Sequence, residues 1–177
     1  MDAATAASVR AAAEAGDRDA MMRLGGLCFS QNDLGEAERW WRRAAELDHA
    51  DAIANLAALL VHRGSDEAET WLRRAATKRE AVALHNLGFF LHKRDPDEAR
   101  KWYLMAAQRG YTDSMHNYAL LISEEDPGEA RRWFWWSANA GNPASMRRVA
   151  EALRGRDPQQ AEAWARRADD VERGGTP

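Results

Sequence analysis

Asp95–Gly110 reads DPDEARKWYLMAAQRG, and 31 residues further on Asp126–Gly141 reads DPGEARRWFWWSANAG. The same interval separates five tryptophans, Trp40, Trp71, Trp102, Trp133 and Trp164. A period between about 20 and 50 residues marks an array of small units, each unable to bury its apolar face alone and completed by its neighbours. The chain is therefore expected to be one stack of repeats.

Outward from the tryptophans, other columns fall into line. Ala37, Ala68, Ala99, Ala130 and Ala161 precede them by three residues, and Ala44, Ala75, Ala106, Ser137 and Ala168 follow by four. With the residue after each tryptophan (Trp41, Leu72, Tyr103, Phe134, Ala165), these positions form an i, i+3, i+4, i+7 stripe, the apolar face of a helix. A second helix precedes each one. It carries Met21, Ile53, Leu84, Met115 and Met146, then Leu24, Leu56, Leu87, Tyr118 and Val149, then Cys28, Leu60, Leu91, Ile122 and Leu153. Between them, Gly25, Ala57, Gly88, Ala119 and Ala150 are small enough to let another helix approach closely. The ladder of tryptophans is expected to lie in the core.

Helix starts confirm the phase. Asp95-Pro96, Asp126-Pro127 and Asp157-Pro158 recur at the repeat interval, each an N-cap followed by proline at the first helical position. Glu98 and Glu129 complete a capping-box pattern; Asp33 with Glu36, and Asn142-Pro143, mark further starts. The predicted repeats are 18–44, 50–75, 81–106, 112–137 and 143–170, preceded by a capping helix at 3–15 and followed by a frayed tail at 171–177.

The segments GDRDAMMRLG (16–25), NLG (86–88), EAERWWRRAA (36–45) and EARKWYLMAA (98–107) resemble the Sel-one-like repeat (SLR), a branch of the tetratricopeptide superfamily. The resemblance implies an all-α fold: a right-handed α-solenoid of five antiparallel helix pairs with an N-terminal capping helix. It further implies a protein-interaction adaptor.

Composition narrows the function classes. With 25 Lys and Arg against 28 Asp and Glu, the net charge is -3, so neither nucleic acid nor an anionic membrane is the expected partner. No apolar run approaches the roughly 20 residues of a bilayer span, and the N-terminus lacks a signal-peptide core. One cysteine, Cys28, excludes an internal disulfide framework and suits a reducing, cytoplasmic setting. The excess of Ala and Arg over Lys is associated with bacterial genomes rich in GC. No nucleophile elbow, phosphate loop, HExxH or CxxC occurs, and Cys28 falls in a core column. Neither catalysis nor a cofactor is expected.

Two sets of residues depart from the shared columns. After the apolar pair of the second helix stand Arg42-Arg43, Arg73-Arg74 and Arg166-Arg167, but Leu104-Met105 and Trp135-Trp136. At 100° per residue these point about 140–240° from the buried stripe, so Leu104, Met105, Trp135 and Trp136 form an expected outer contact patch. On the first helices, an inner groove is expected to present Met22, Arg23, Asn55, His85, Asn86, Phe89, His92, His116, Asn117 and Arg148, together with Phe29. Asparagine can hold an extended backbone, or it can bond the adjoining repeat.

His85 and His116 share a column. A metal needs ligands at about 2.1 Å, whereas stacked repeats separate equivalent residues by about 8–10 Å, which disfavours a metal site. The reading is a non-catalytic scaffold that docks a protein or peptide. The alternatives are a homo-oligomer joined through Trp135 and Trp136, and a small-molecule or metal sensor built on the histidines.

Overall fold

The computed structural model describes residues 3–77 and 81–174, which form eleven α-helices with no strand among them. They are α1 (Ala3–Glu14), α2 (Arg18–Ser30), α3 (Leu34–Glu46), α4 (Ala50–His62), α5 (Ala68–Thr77), α6 (Ala81–Leu91), α7 (Pro96–Ala107), α8 (Thr112–Ile122), α9 (Pro127–Asn139), α10 (Pro143–Leu153) and α11 (Pro158–Glu172). The helices group into two compact units, Met1–Asn86 and Leu87–Pro177. The last helix runs two residues past its predicted end, and residues 175–177 of the expected tail lie outside the described set.

Each of these predicted starts carries its N-cap. The Asp95, Asp126 and Asp157 carboxylates accept from the backbone N–H three residues on, at 2.8–3.0 Å. Asn142 and Asp33 cap in the same way. The return half of the capping box is replaced. The N–H groups of Asp95 and Asp126 already donate to Leu91 O and Ile122 O at 2.8 Å, so Glu98 and Glu129 are released for other partners.

In the first unit, α1 to α5 pack in sequence, each on the next, around Met21, Leu24, Trp40, Trp41, Ile53 and Leu56. In the second, α7 to α11 do likewise, and Met146 and Val149 gather with Leu153, Trp164 and Val171 at its C-terminal end. The small column works as anticipated. Trp41 lies so tightly over Gly25 that a Cβ there would meet its ring at 2.5 Å, and Tyr103 covers Gly88 at 2.9 Å.

The tryptophan ladder is less buried than its regularity suggested. Trp40 is 1% exposed, whereas Trp71, Trp102, Trp133 and Trp164 are half-buried. The position between helices goes to the next residue: Trp41, Leu72 and Tyr103 are all buried. An indole at the margin keeps its N–H within reach of a polar partner. Trp102 and Trp133 donate to the released Glu98 and Glu129 at 3.2 and 3.1 Å, while Arg74 and Arg167 lie over Trp71 and Trp164.

Candidate functional site

The first unit contains an open cleft of about 570 Å³ between α2, α3 and α4, lined by Phe29, Trp41, Asn55, Leu59 and His62. Phe29 is exposed and packs 5.5 Å from the Trp41 ring. The Trp41 indole donates to the Met22 carbonyl at 3.2 Å, so half-buried Met22 contributes its backbone to fixing that wall. Arg23 is exposed on α2. His85 and Asn86 are half-buried at the end of this unit.

In the second unit, the expected groove residues are largely engaged by the fold. His92 turns its ring edge toward Tyr103 at 6.0 Å, and its Nδ1 is buried without a hydrogen-bond partner among the described residues. The Tyr103 hydroxyl is buried, and its pKa is pushed up to about 12, chiefly by burial, with Asn117 beside it as the smaller, opposing influence. Phe89 is exposed.

His116 belongs to a chain of buried hydroxyls. Ser137 donates to the Thr112 carbonyl at 3.0 Å, and Ser145 donates to Ser137 at 2.8 Å. With its proton so committed, Ser145 accepts from His116 Nδ1 at 2.7 Å. Burial, followed by the nearby Arg148 charge, lowers the His116 pKa. The ring is thus neutral with its proton on Nδ1. Phe134 packs 5.4 Å from it, and the guanidinium of exposed Arg148 lies 5.9 Å from the centre of the same Phe134 ring.

On the outer face, Trp135 and Trp136 are 41% and 50% exposed. They are not loose: Trp136 meets Trp133 edge to face at 4.8 Å, and Trp135 meets Trp164 at 5.3 Å. Arg131 and Arg132 flank the pair in a shallow cleft of about 360 Å³. The expected four-residue patch contracts to these two tryptophans, because Leu104 and Met105 are half-buried. The Leu104 column is half-covered elsewhere too, at Arg42 and Arg73, since a second helix has neighbours on both flanks and not only along its stripe.

Between α9 and α10 a smaller cleft of about 190 Å³ is floored by Phe134, Val149 and Leu153 and edged by Arg131, Arg148 and Arg156. Of these arginines only Arg148 was singled out from the sequence. Arg131 and Arg156 look like ordinary surface residues until the repeats are superposed. Cys28 is buried and its thiol pKa is raised, mainly by desolvation, which makes it a poor nucleophile. Among the described residues, no three His, Cys, Asp or Glu side chains converge on a metal-sized site, and no helix is long and apolar enough to cross a membrane.

The family model described as Sel1 repeat matches residues 10–49, 81–111, 113–142 and 143–168. No curated protein matches the chain. Among solved structures, a Sel1 repeat protein from Oxalobacter formigenes is 25% identical, with a TM-score of 0.77 over 92% of this chain and 77% of its own. A protective antigen with an SLR fold, from uropathogenic Escherichia coli, is 26% identical with a TM-score of 0.83; the match covers 96% of this chain and 41% of the antigen. YrrB, a tetratricopeptide-repeat protein described as having an unusual peptide-binding site, is 19% identical with a TM-score of 0.67, covering 95% of this chain and 94% of its own. These likenesses give the fold as a helical-repeat solenoid.

Proposed function

The chain belongs to the Sel1 repeat family, whose members are generally protein–protein interaction scaffolds, and on that premise we propose that it is a non-catalytic docking module. Its main contact surface is the aromatic face of α9. One observation carries this reading: two adjacent tryptophans are 41% and 50% exposed yet held edge-on by Trp133 and Trp164. Large, pre-ordered aromatic surface lowers the entropy cost of association, and tryptophan is favoured at interface centres. A single cysteine, Cys28, suits a reducing, cytoplasmic setting.

The test exchanges Trp135 and Trp136 for Arg, the residue its sibling repeats carry at 42 and 43. Helical circular dichroism and melting should be preserved. Proteins captured from the native host by the wild type should be lost, or, if the partner is a second copy, light scattering should show a wild-type dimer become a monomer. A variant with unchanged mass that captures the same proteins as the wild type defeats the assignment.

A second docking surface is supported by the cleft of about 570 Å³ in the first unit, with Phe29 and Trp41 as apolar walls and Asn55 as a two-way hydrogen-bonding group. Phe29→Ser together with Asn55→Ala separates it from the α9 face in the same capture experiment.

A further inference from the structure

One column of the repeat is an ion pair between the second helix of one repeat and the end of the first helix of the next. Glu38 on α3 binds Arg63 after α4, and the same carboxylate accepts from Arg42 at 2.7 Å. At the third and fourth repeats the polarity is reversed, with Arg100 on α7 bound to Glu125 after α8. Each pair spans 25 residues. Between the fourth and fifth repeats the same two positions are Arg131 and Arg156.

Here the column has two guanidinium groups and no carboxylate. The position that holds Arg42 in the first repeat is occupied by Trp135. A third arginine, Arg148, stands at the same cleft. Among the described residues no carboxylate pairs with Arg131, Arg148 or Arg156, in a chain whose net charge is -3. Beneath the charges lie Phe134, Val149 and Leu153. The cleft, at about 190 Å³, is smaller than the roughly 300–1,000 Å³ of a drug-sized site, a size suited to one side chain at a time.

We propose that the α9–α10 cleft binds an acidic peptide segment of the docked partner, a glutamate or aspartate bridging Arg131 and Arg156 while an adjacent apolar side chain enters over Val149 and Leu153. The incoming carboxylate supplies what Glu38 and Glu125 supply within the chain at the first and third junctions. Arg148 adds charge at the mouth, and Trp135 joins this cleft to the exposed aromatic face. Planar guanidinium forks suit a carboxylate bridge. This inference rests on the docking reading above and names the chemistry of the partner.

The test is fluorescence anisotropy on the full chain with a fluorescein-labelled peptide carrying Glu-Glu-Leu-Glu, against a control carrying Gln-Gln-Leu-Gln. The acidic peptide should bind at least about tenfold more tightly, the scale of one charge-assisted hydrogen bond, and the preference should shrink with added salt. Arg131→Glu rebuilds the pairing of the first repeat and Arg156→Glu that of the third. Either should weaken the acidic peptide by about tenfold or more without lowering the melting temperature.

Equal binding of the two peptides, unchanged affinity in both variants, or equally tight binding of a single-stranded oligonucleotide would overturn the proposal. The outcomes separate from those of the tryptophan exchange. Capture that depends on Trp135 and Trp136 without peptide discrimination removes the carboxylate site alone. Peptide discrimination with capture indifferent to the tryptophans removes the aromatic face alone.

Discussion

The indole N–H of Trp133 donates to the Glu129 carboxylate one helical turn earlier, at 3.1 Å, and the Tyr118 hydroxyl reaches the same residue at 3.4 Å. Glu129 thereby ties α8 to α9 beneath the exposed tryptophans. Glu129→Ala should destabilise the protein by about 1–3 kcal/mol, the cost of leaving partly buried donors unpaired. Glu129→Gln, which keeps an acceptor, should lose less. Urea unfolding midpoints would check the order, and equal loss in both variants would contradict it.

Gly25 and Gly26 are neighbours on α2 with opposite surroundings. A Cβ at Gly25 meets the Trp41 ring at 2.5 Å, while at Gly26 it meets nothing within 4 Å. Trp41 cannot simply swing aside, because it is buried and its indole is bonded to the Met22 carbonyl. Gly25→Ala should therefore destabilise by about 1–3 kcal/mol through overpacking. Gly26→Ala should stabilise by about 1 kcal/mol through helix propensity alone. Thermal melts of the two variants should move in opposite directions.

His116 makes stability depend on pH in a defined direction. Its pKa in the fold is lowered by burial and by Arg148, so the folded state favours the neutral ring. That contribution is complete above the ordinary histidine value of about 6.5 and is lost as pH falls below it. Between pH 7.5 and 5, the wild type should lose more stability than His116→Gln when chemical denaturation is compared. A parallel loss in both proteins would refute the assignment.

Ser145→Ala tests the hydroxyl chain. It leaves the His116 Nδ1 proton without its acceptor and Ser137 without its donor, at an expected cost of about 1–3 kcal/mol. The amide of residue 145 remains capped by Asn142, so the helix start survives. Far-ultraviolet circular dichroism should be unchanged while the unfolding midpoint falls.

Cys28 should react with a thiol reagent only when the first unit opens. It is buried and its pKa is raised by desolvation, and the thiolate is the reactive form. At pH 8, labelling should be slow in buffer and rapid in denaturing urea. Immediate stoichiometric labelling of the native protein would place the thiol at the surface.

The periodicity made the helices and the small columns legible, because Asp-Pro starts and i, i+3, i+4 stripes are local properties of the chain. What it could not supply was the flank of each helix that a neighbour covers. That is why Leu104 and Met105, read as outer residues, are half-buried, and why Trp102 and Trp133, read as core, stand at the margin. The capping box failed at Glu98 and Glu129 for a related reason: the carbonyl that satisfies each Asp cap comes from the preceding helix. Asn117 was visible as a polar column, but the buried Tyr103 hydroxyl beside it belongs to another repeat. Arg131 and Arg156 sat in plain view, 25 residues apart, without any sequence signal that the two positions face each other.

The ion-pair column has a consequence for how such an array can lengthen. The fourth repeat carries Glu125, which answers an arginine in the repeat before it, and Arg131, which awaits an answer from the repeat after it. If this repeat were duplicated in place, the glutamate of the second copy would neutralise the arginine of the first. The unmatched arginines would then reappear one step along, against the old fifth repeat. Gene duplication here would carry the cleft to the new junction and never multiply it, so the chain could grow while keeping a single basic recess.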